Sequence, residues 1–453
     1  MKTITGNKTT NGWNKARIGD VLRLINGRAF KPSEWKERGL PIVRIQNLNN
    51  TEAPFNYYEG DLPKKFLLNN GDLLFAWSGT PGTSFGAHIW RGGKAWLNQH
   101  IFKVMFDDVD FNKRFLQLAI NQNLNEYIRA AHGGAGLAHI TKGKFEDSEL
   151  VKPPLEEQKL IVAEIEKQFS RLDEAVDNLK RVKANLKRYK ASVLKAAVEG
   201  KLTEDWRKQH PDVEPASKLL ERTLAERRAK WNRAGYYKEP AAPDTTGLPR
   251  LPNNWKWASL DQLLLNITDG DHQPPPQTDS GVPFLVIGNV RSGKLEFEDT
   301  RFVSRQYADA VDAFRKPTHD DILYTLVGSF GIALRVDTDR EFCIQRHIGV
   351  LRSHKLSPTS YLVHVLNSLA VLSQAIKVAT GTAQKTVPLA GLRRIAIPLP
   401  PLAEQQQIVA EVERRLSVIA ELEAAVEANL TRADRLRQAV LSKAFMGALI
   451  TSL

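Results

Sequence analysis

Two stretches of the chain decide its fold, because they are copies of one another. The first reads PPLEEQKLIVAEIEKQFSRLDEAV from Pro153, and the second reads PPLAEQQQIVAEVERRLSVIAELE from Pro400. The match continues without a gap to VLKAAVEGKL, which ends at Leu202, and to VLSKAFMGAL, which ends at Leu449. About a third of the aligned positions are identical, which indicates an internal duplication.

Each copy predicts a long helix. A Pro-Pro pair fits a helix start, and apolar residues then recur at alternating three- and four-residue spacing, as in a coiled-coil seam. The seam of the first helix comprises Val162, Ile165, Phe169, Leu172, Val176, Leu179, Leu186, Val193 and Ala197. The seam of the second comprises Val409, Val412, Leu416, Ile419, Val426, Leu430, Ala433, Val440 and Ala444. The stripe is interrupted by charged residues that can fix register and partner, namely Lys183, Lys190, Glu423 and Arg437.

The simplest partner for each helix is the other, in a rod of roughly 65–70 Å. Pairing between separate chains is an alternative, and so are two unrelated surface helices that pack on their own domains.

The segments upstream of the two helices also repeat. PIVRIQN from Pro41 resembles PFLVIGN from Pro283, and GDLLF from Gly71 resembles DDILY from Asp320. The chain therefore runs globule, helix, globule, helix.

Each globular half is expected to be mixed α/β with a compact, curved sheet. The pieces IVRIQNL, DLLFAW, FLVIGNV and DILYTLV have the composition of strands, and residues 111–129 and 360–378 have helical patterns. Between the halves, residues 217–234 predict a charged helix capped by Ser217 and ended by Gly235, followed by a proline-rich connector at 239–252. The expected boundaries are 1–152 and 252–399 for the globular domains, 153–202 and 400–453 for the long helices, and 203–251 for the linker.

Composition narrows the class of protein. With 453 residues, of which 42% are hydrophobic and 25% charged, the chain fits a folded protein of about three domains. Lys and Arg number 64 against 51 Asp and Glu, and the net charge of +13 suits a polyanion such as nucleic acid, or an anionic membrane surface. A single cysteine, Cys343, excludes an internal disulfide framework, a cysteine-ligated zinc site and an iron–sulfur cluster. Without a signal peptide or a membrane-length apolar run, we expect a cytoplasmic protein.

No catalytic motif is found. The phosphate loop, H-E-x-x-H, G-x-S-x-G and paired C-x-x-C patterns are absent, and the ten histidines form no i, i+4 pair typical of a metal site. Asp212 and Glu214 with Lys218 fit a solvated charge cluster better than a nuclease metal site. Gly133-Gly-Ala-Gly136 fits a turn better than a phosphate cradle. The sequence therefore predicts neither an enzyme nor a metal protein.

At this point the layout resembles a known family, the specificity subunits of type I restriction–modification enzymes, over essentially the whole length from about Gly12. The two Pro-Pro-Leu-x-Glu-Gln segments carry most of the likeness. The stretch GTAQKT (residues 381–386) and the segment GKLTEDWRKQHPDVEPASKLLERTLAERRAKW (residues 200–231) add to it.

The resemblance implies an α+β fold with a pseudo-two-fold duplication: two α/β target-recognition domains separated by two long helices packed as an antiparallel coiled coil. Each domain would read one half of a split, asymmetric target on double-stranded DNA, and the helix pair would set the unread gap between the halves. Two modification subunits and the restriction subunits would be the protein partners. No cofactor is implied for this chain, because S-adenosylmethionine, ATP and magnesium would belong to the partners.

The two halves differ at one motif. The first half reads AHGGAGLAH (residues 131–139) where the second reads ATGTAQKT (residues 379–386). A contact role for Gln384 and Lys385 therefore has no counterpart in the first half.

Candidate DNA contacts are polar residues that follow strand-like runs or lie in glycine-containing loops, because Arg, Lys, Asn and Gln pair with base edges. In the first half they are Arg28, Lys31, Arg44, Gln46, Asn47, Ser78, Thr80, Ser84, Gln99 and His100. In the second half they are Asp269, His272, Gln273, Asn289, Arg291, Ser329, Gln345, Arg346, His347, Gln384 and Lys385. Trp77 and Trp90 either stack on bases or belong to the core.

The run from Lys180 to Lys195 contains seven basic residues and no acidic one. It could follow DNA phosphates, face an acidic partner, or be a solvated helix face. Two other classes of function stay open. The chain could be a scaffold whose globular halves bind protein and whose coiled coil assembles a complex. It could also be an enzyme whose site the motif search did not find.

Overall fold

The computed structural model describes residues 12–50, 52–80, 83–130, 138–230, 236–273, 275–354, 356 and 358–450. Two compact units are present. Unit 1 holds the residues up to Lys180 together with those from Glu427 onward, and unit 2 holds Arg181–Val426. Each unit therefore takes one globular half and part of each long helix.

The first globular half alternates short strands and short helices. Its strands are β1 Asn14–Arg17, β2 Arg23–Asn26, β3 Leu40–Val43, β4 Asn56–Tyr58, β5 Leu67–Leu68, β6 Leu73–Ala76, β7 Ser78–Gly79, β8 Gly86–Ile89, β9 Ala95–Leu97, β10 Ile101–Met105, β11 Ala138–His139 and β12 Glu149–Lys152. Its helices are α1 Ile18–Val21, α2 Ile45–Asn49, α3 Lys113–Gln122, α4 Leu124–Ala130 and α5 Lys142–Asp147. The first long helix, α6 Leu155–Val198, follows.

The linker and the second half continue in the same manner. The linker forms α7 Glu204–Gln209 and α8 Ala216–Ala229. The strands of the second half are β13 Lys256–Ser259, β14 Leu264–Asp269, β15 Val282–Leu285, β16 Arg301–Val303, β17 Ile322–Thr325, β18 Ala333–Arg335, β19 Cys343–Ile344, β20 Ile348–Ser353 and β21 Ala396–Leu399. Its helices are α9 Leu260–Leu263, α10 Arg305–Ala310, α11 Thr359–Leu366, α12 Leu369–Val378 and α13 Leu389–Arg394, and the long helix α14 Leu402–Phe445 ends the described chain.

The sheets confirm the duplication that the sequence predicts. Unit 1 has an antiparallel sheet in the order β2-β10-β6-β8, and unit 2 has its counterpart in the order β14-β20-β17-β18. A second sheet contains the parallel pair β3·β9 in unit 1 and β15·β19 in unit 2. The pair β1·β12 recurs as β13·β21. The two halves therefore share one topology as well as one sequence pattern.

An asparagine contact recurs with the same geometry in the two units. In unit 1 the Asn121 side chain accepts from the Ala87 N–H at 2.8 Å and donates to the Ala87 carbonyl at 2.9 Å. In unit 2 Asn367 accepts from the Ala333 N–H at 3.1 Å and donates to its carbonyl at 2.8 Å. Each asparagine satisfies both backbone groups of an edge strand, so it ties a helix to the main sheet.

The Pro-Pro-Leu-x-Glu-Gln motif is explained by the entry into each long helix. The Gln158 amide donates to the Pro153 carbonyl at 2.8 Å, and Gln405 donates to Pro400 at 2.9 Å. Proline has no N–H group to donate to a backbone carbonyl, so at this point the glutamine amides act as the donors.

The long helices pack antiparallel within each unit. In unit 1, early residues of α6 such as Ile161 and Ile165 share a core cluster with late residues of α14 such as Ala444. In unit 2, late residues of α6 such as Val193 share a cluster with early residues of α14 such as Val412. Every residue predicted for the two seams is buried or half-buried. Of the charged residues that interrupt the stripe, Lys183 and Lys190 are exposed, whereas Glu423 and Arg437 are half-buried.

Several predicted elements are shorter than their patterns indicate. IVRIQNL and FLVIGNV are strands only as far as Val43 and Leu285, because a capped turn follows each one. The helical patterns of residues 111–129 and 360–378 are each broken in two, by Asn123 and by the Asn367-Ser368 pair. Small polar side chains compete for backbone hydrogen bonds and so end helices early.

The predicted cap of the linker helix was wrong. The helix α8 begins at Ala216, whose N–H donates to the Asn254 carbonyl at 2.9 Å, and Ser217 lies inside the first turn. The helix ends at Ala229, and the predicted stop at Gly235 lies outside the described residues. Within the described chain no single helix has the length and apolarity to cross a bilayer, and only the bent pair α11–α12 passes that test jointly.

Candidate nucleic-acid interface

Loops from both sheets of unit 1 meet at one edge. The Arg28 N–H donates to the Leu97 carbonyl at 2.9 Å, and the Trp77 N–H donates to the His100 carbonyl at 3.3 Å. Gly27 makes the first contact possible, because a Cβ at this position would lie 2.0 Å from the Asn98 carbonyl oxygen. The loop after β2, the segment after β6 and the β9–β10 loop are therefore bonded into one surface, which we call cluster 1.

Unit 2 builds the same surface, which we call cluster 2. The Gln345 N–H donates to the Leu285 carbonyl at 3.0 Å, and the Leu326 N–H donates to the His347 carbonyl at 2.8 Å. Gly270 takes the place of Gly27, since a Cβ there would lie 2.2 Å from the Ile344 carbonyl oxygen. Glycine is required at both sites because any side chain would collide with backbone.

A further segment joins each cluster just before a short helix. In unit 2 the Val387 N–H donates to the Leu326 carbonyl at 2.8 Å, and the Gly328 N–H donates to the Lys385 carbonyl at 3.0 Å. These bonds bring Gln384 and Lys385 beside Ser329, and all three residues are exposed. In unit 1 the Ile140 N–H donates to the Trp77 carbonyl at 3.0 Å, but the residues that match Gln384 and Lys385 lie outside the described chain or lack those side chains.

Eight of the ten predicted residues of unit 1 keep some exposed surface, and they fall into three groups. Lys31, Gln46 and Thr80 are exposed, and Ser78, Gln99 and His100 are half-buried. The two arginines are held in place by aromatic and polar neighbours. Arg28 pairs with Glu34 and lies 4.7 Å from the Phe30 ring centroid, and Arg44 donates to Asn56 at 3.1 Å.

Three of the predicted residues instead have structural roles, because their side chains are buried and hydrogen-bonded to the backbone. Asn47 and Asn289 are buried, and their side chains accept from the N–H groups of Arg44 at 3.1 Å and Val286 at 3.0 Å. Ser84 is also buried and accepts from the Thr80 N–H at 3.0 Å. These side chains shape the loops that carry other candidates and have little surface left for a ligand.

An aromatic group at cluster 1 includes one residue that sequence reasoning missed. The Trp77 ring lies 5.3 Å from the His100 ring and 4.5 Å from the His139 ring, centroid to centroid. His139 belongs to β11, which pairs with β7 at Ser78. His139 corresponds to Thr386 in the repeat, and this correspondence could have identified His139 from the sequence. Trp90, by contrast, is a buried core residue whose indole donates to the Gly93 carbonyl at 2.8 Å.

The half-buried histidines of the clusters are held neutral. Burial lowers the pKa of His100, and the Coulombic effects of the neighbouring His139 and Arg44 lower it further. Burial and the adjacent Arg346 lower the pKa of His347. Near pH 7 each ring therefore offers one N–H donor and one acceptor nitrogen, which suits pairing with base edges or phosphate.

In unit 2 most predicted residues are solvent-facing. His272, Gln273, Arg291 and Arg346 are exposed, and Gln345 and His347 are half-buried. Asp269 is buried, and its carboxylate lies 3.1 Å from the His272 ring nitrogen, so it orients that histidine.

The single cysteine of the chain is a buried, protonated thiol. Cys343 is buried beneath cluster 2, and burial raises the pKa of its thiol to about 11, so the reactive thiolate is not formed near pH 7. Across the described residues, no group of three or more His, Cys, Asp or Glu side chains is arranged to hold a metal ion. The arrangement offers mixed donors and acceptors on rigid, backbone-bonded loops, which suits recognition of an extended polar surface.

Comparison with known proteins gives a consistent result. The model of the type I restriction modification DNA specificity domain matches this chain twice, over residues 10–188 and 272–432. Among curated relatives, the chain is 27% identical to the specificity subunit of the type I restriction enzyme EcoBI of Escherichia coli, over 96% of this chain and 86% of that protein. It is 23% identical to the specificity subunit of MjaVIII from Methanocaldococcus jannaschii, over 90% of this chain and 86% of that protein.

A solved structure shares the fold. A chain from a study titled "Structural basis underlying complex assembly and conformational transition of the type I R-M system" aligns with a TM-score of 0.65 at 21% identity. The alignment covers 98% of this chain and 100% of that chain.

Proposed function

This chain belongs to the type I restriction modification DNA specificity family, and from that premise we propose that clusters 1 and 2 read the two halves of one split, asymmetric target on double-stranded DNA. Members of the family are non-catalytic specificity subunits, and catalysis lies in their partner subunits.

One observation carries the proposal: the same loop cluster is built twice on the same scaffold, with different side chains. The glycine contact and the Trp77 or Leu326 backbone bond recur in both units. The exposed residues differ, since cluster 2 presents Arg346 and Lys385 where cluster 1 presents an aromatic group around Trp77. A shared scaffold with different reading groups suits two different half-sites.

The proposed domain boundaries follow from this division. Residues 1–152 and 252–399 would be the two target-recognition domains, residues 153–202 and 400–453 the two spacer helices, and 203–251 the linker. With α6 and α14 as antiparallel partners of 44 residues each, the pair would set the unread gap between the half-sites. We expect half-site centres about one turn of B-DNA apart, roughly 34 Å.

The net charge of +13 supports a DNA partner, because lysine and arginine contacts to phosphate supply affinity that does not depend on sequence. The protein partners would be two modification subunits and the restriction subunits. S-adenosylmethionine, ATP and magnesium would be bound by those partners, and this chain would carry no cofactor. We propose that the complex works in the cytoplasm, where the DNA is.

Mapping of DNA methylation tests the proposal directly. The chain is co-expressed with its cognate modification subunit, and methylated sites are mapped across the host genome. We expect one split, asymmetric motif with a fixed unread gap. A single uninterrupted motif would contradict the two-half reading, and a stable complex that adds no methylation would favour the scaffold function.

A further inference from the structure

The linker helix α8 covers one face of unit 2. The Arg227 guanidinium donates to the Leu264 carbonyl at 2.8 Å and pairs with Asp261 at 3.1 Å. Leu219 and Leu220 are buried in the core cluster of that unit, and the partly buried Leu356 packs against the same cluster. A basic amphipathic helix therefore closes this face.

The matching face of unit 1 has no such cover among the described residues. Because β10 corresponds to β20, Asp107 occupies the position of His354. His354 is 1% exposed and lies 3.5 Å from Glu226 of α8, whereas Asp107 is exposed. Val109 is 75% exposed and Met105 is 37% exposed beside it. Two open grooves of about 670 and 530 Å³ lie here, and we call them together the unit 1 groove.

The unit 1 groove is acidic. Its lining includes three cations, from Arg23, Lys142 and Lys152, and twice as many carboxylates, from Asp20, Asp107, Asp108, Asp110, Glu146 and Glu157. Two of these carboxylates are neutralised, Asp110 by Lys152 at 2.6 Å and Glu146 by Lys142 at 3.5 Å. The other four form no ion pair with any described residue. Exposed apolar side chains among unpaired carboxylates are complementary to a helix with one apolar and one basic face.

A repeated glutamate marks where a cation would sit. In unit 2 the Glu404 carboxylate is fully buried and accepts from Thr203 at 2.7 Å, from Trp255 at 2.7 Å and from the Arg207 guanidinium at 2.8 Å. Its counterpart Glu157 is half-exposed and accepts from the Trp13 indole at 2.8 Å. No described residue of unit 1 supplies the hydroxyl or the guanidinium.

We propose that the unit 1 groove binds a basic amphipathic helix of a partner protein, seated as the linker is seated on unit 2, with an arginine on Glu157. The proposal is independent of the DNA-reading function, because none of these residues belongs to cluster 1. The partner helix is identified by its chemistry. It needs an apolar ridge that contacts Met105 and Val109, and cationic side chains that face Asp107, Asp108 and Glu157.

The chain itself supplies a probe of this chemistry. A labelled peptide with the sequence of residues 201–230 is added to the full-length protein, and binding is followed by fluorescence anisotropy at low salt. The corresponding face of unit 2 is already covered by its own linker, so binding reports on the unit 1 groove. We expect saturable binding that weakens about tenfold or more in the double variant Asp107→Lys, Asp108→Lys, because like charges now face each other.

Controls separate this outcome from general charge attraction. The exposed Glu174 on α6 is replaced in the variant Glu174→Lys, which should leave peptide binding unchanged, and a scrambled peptide of the same composition should bind at least tenfold more weakly. Circular dichroism and DNA binding confirm that the variants fold. Absence of binding, or equal binding by the double variant, would overturn the proposal. Tighter peptide binding after deletion of residues 2–10 would also overturn it, since the chain's own N-terminal segment would then be the occupant.

Discussion

At the scale of the residue, we expect base reading and phosphate binding in cluster 2 to be carried by different side chains. Arg346→Ala should relax recognition at one position of one half-site, because an arginine paired with a guanine edge contributes about 1–3 kcal/mol of discrimination. Lys385→Ala should weaken binding evenly across sequences and reduce the slope of log affinity against log salt by about 1, as expected for a phosphate contact. Competition binding at several salt concentrations measures both effects, with the exposed linker residue Lys238 replaced by alanine as control. If Arg346→Ala reduced discrimination equally at both half-sites, cluster 2 would not be the reader of one half-site alone.

The two repeated glutamates predict different losses of stability. Glu404→Ala removes a fully buried carboxylate and leaves the Arg207 guanidinium, whose side chain is 17% exposed, without its partner. We expect a loss of about 3 kcal/mol in local stability. Glu157→Ala removes the hydrogen bond from the Trp13 indole at a half-exposed site and should cost about 1 kcal/mol or less. Hydrogen exchange measures both losses of stability, in β13 and β21 for Glu404→Ala and in β1 and β12 for Glu157→Ala. Equal losses would show that the burial of Glu404 makes no difference.

A buried histidine predicts acid sensitivity of unit 2. Burial, with Lys190 nearby, lowers the pKa of His364 to about 4, so the neutral ring is favoured in the folded state. In the unfolded chain the ring binds a proton near pH 6.5. The stabilisation is therefore complete above about pH 6.5 and is lost as the pH falls toward 4. Thermal unfolding across that range should show a smaller pH dependence in His364→Asn, and an unchanged slope would exclude this histidine as a cause.

At the scale of the element, the long helices were predictable and the short ones were only partly so. Periodic apolar positions such as Ile165 and Val412 determine a seam by themselves, because burial follows spacing. The breaks at Asn123 and Asn367 were missed, because an asparagine ends a helix only where its side chain or its turn meets a tertiary partner, as Asn367 does at Ala333. Cluster residues such as Gln384 were predicted from their place in glycine-containing loops. The burial of Asn47 was not, since a capping amide and a ligand-binding amide look alike in sequence.

The helix pair predicts how the gap responds to length. Seven residues inserted into both α6 and α14, at the 180/181 and 426/427 positions, preserve the heptad seam and add about 10 Å to each helix. Because a base pair rises about 3.4 Å, the methylated motif should keep both half-sites and gain an unread gap about three base pairs longer. Methylation mapping measures the gap. As a control, the same insertion between Thr245 and Thr246 of the connector should leave the unread gap unchanged. An unread gap that is also unchanged by the helix insertions would exclude the helix pair as the spacer.

At the scale of the whole molecule, the duplication gives the chain two loop clusters of one architecture with different exposed side chains. Both units share strand order, the asparagine contact and the helix entry, while Arg346 and Lys385 on one side and the Trp77 group on the other distinguish them. Substitutions confined to one cluster should therefore alter one half of the motif only. Lys31→Ala and Arg346→Ala, mapped by methylation in separate strains, should affect opposite halves, and a shared effect would argue against independent reading.

The antiparallel helix packing also governs the order in which the chain can fold on the ribosome. Unit 2 is one continuous stretch, Arg181–Val426, whereas the cluster of Ile161 and Ile165 in unit 1 waits for Ala444 and Leu449. Those partners are synthesised about 280 residues later, a delay on the order of 15–60 s at ordinary elongation rates. During that time the first half emerges with an apolar helix face uncovered, so nascent chains should depend on chaperones that shield such surfaces. The cluster of unit 2 that holds both long helices, although made later, is therefore complete before the corresponding cluster of unit 1.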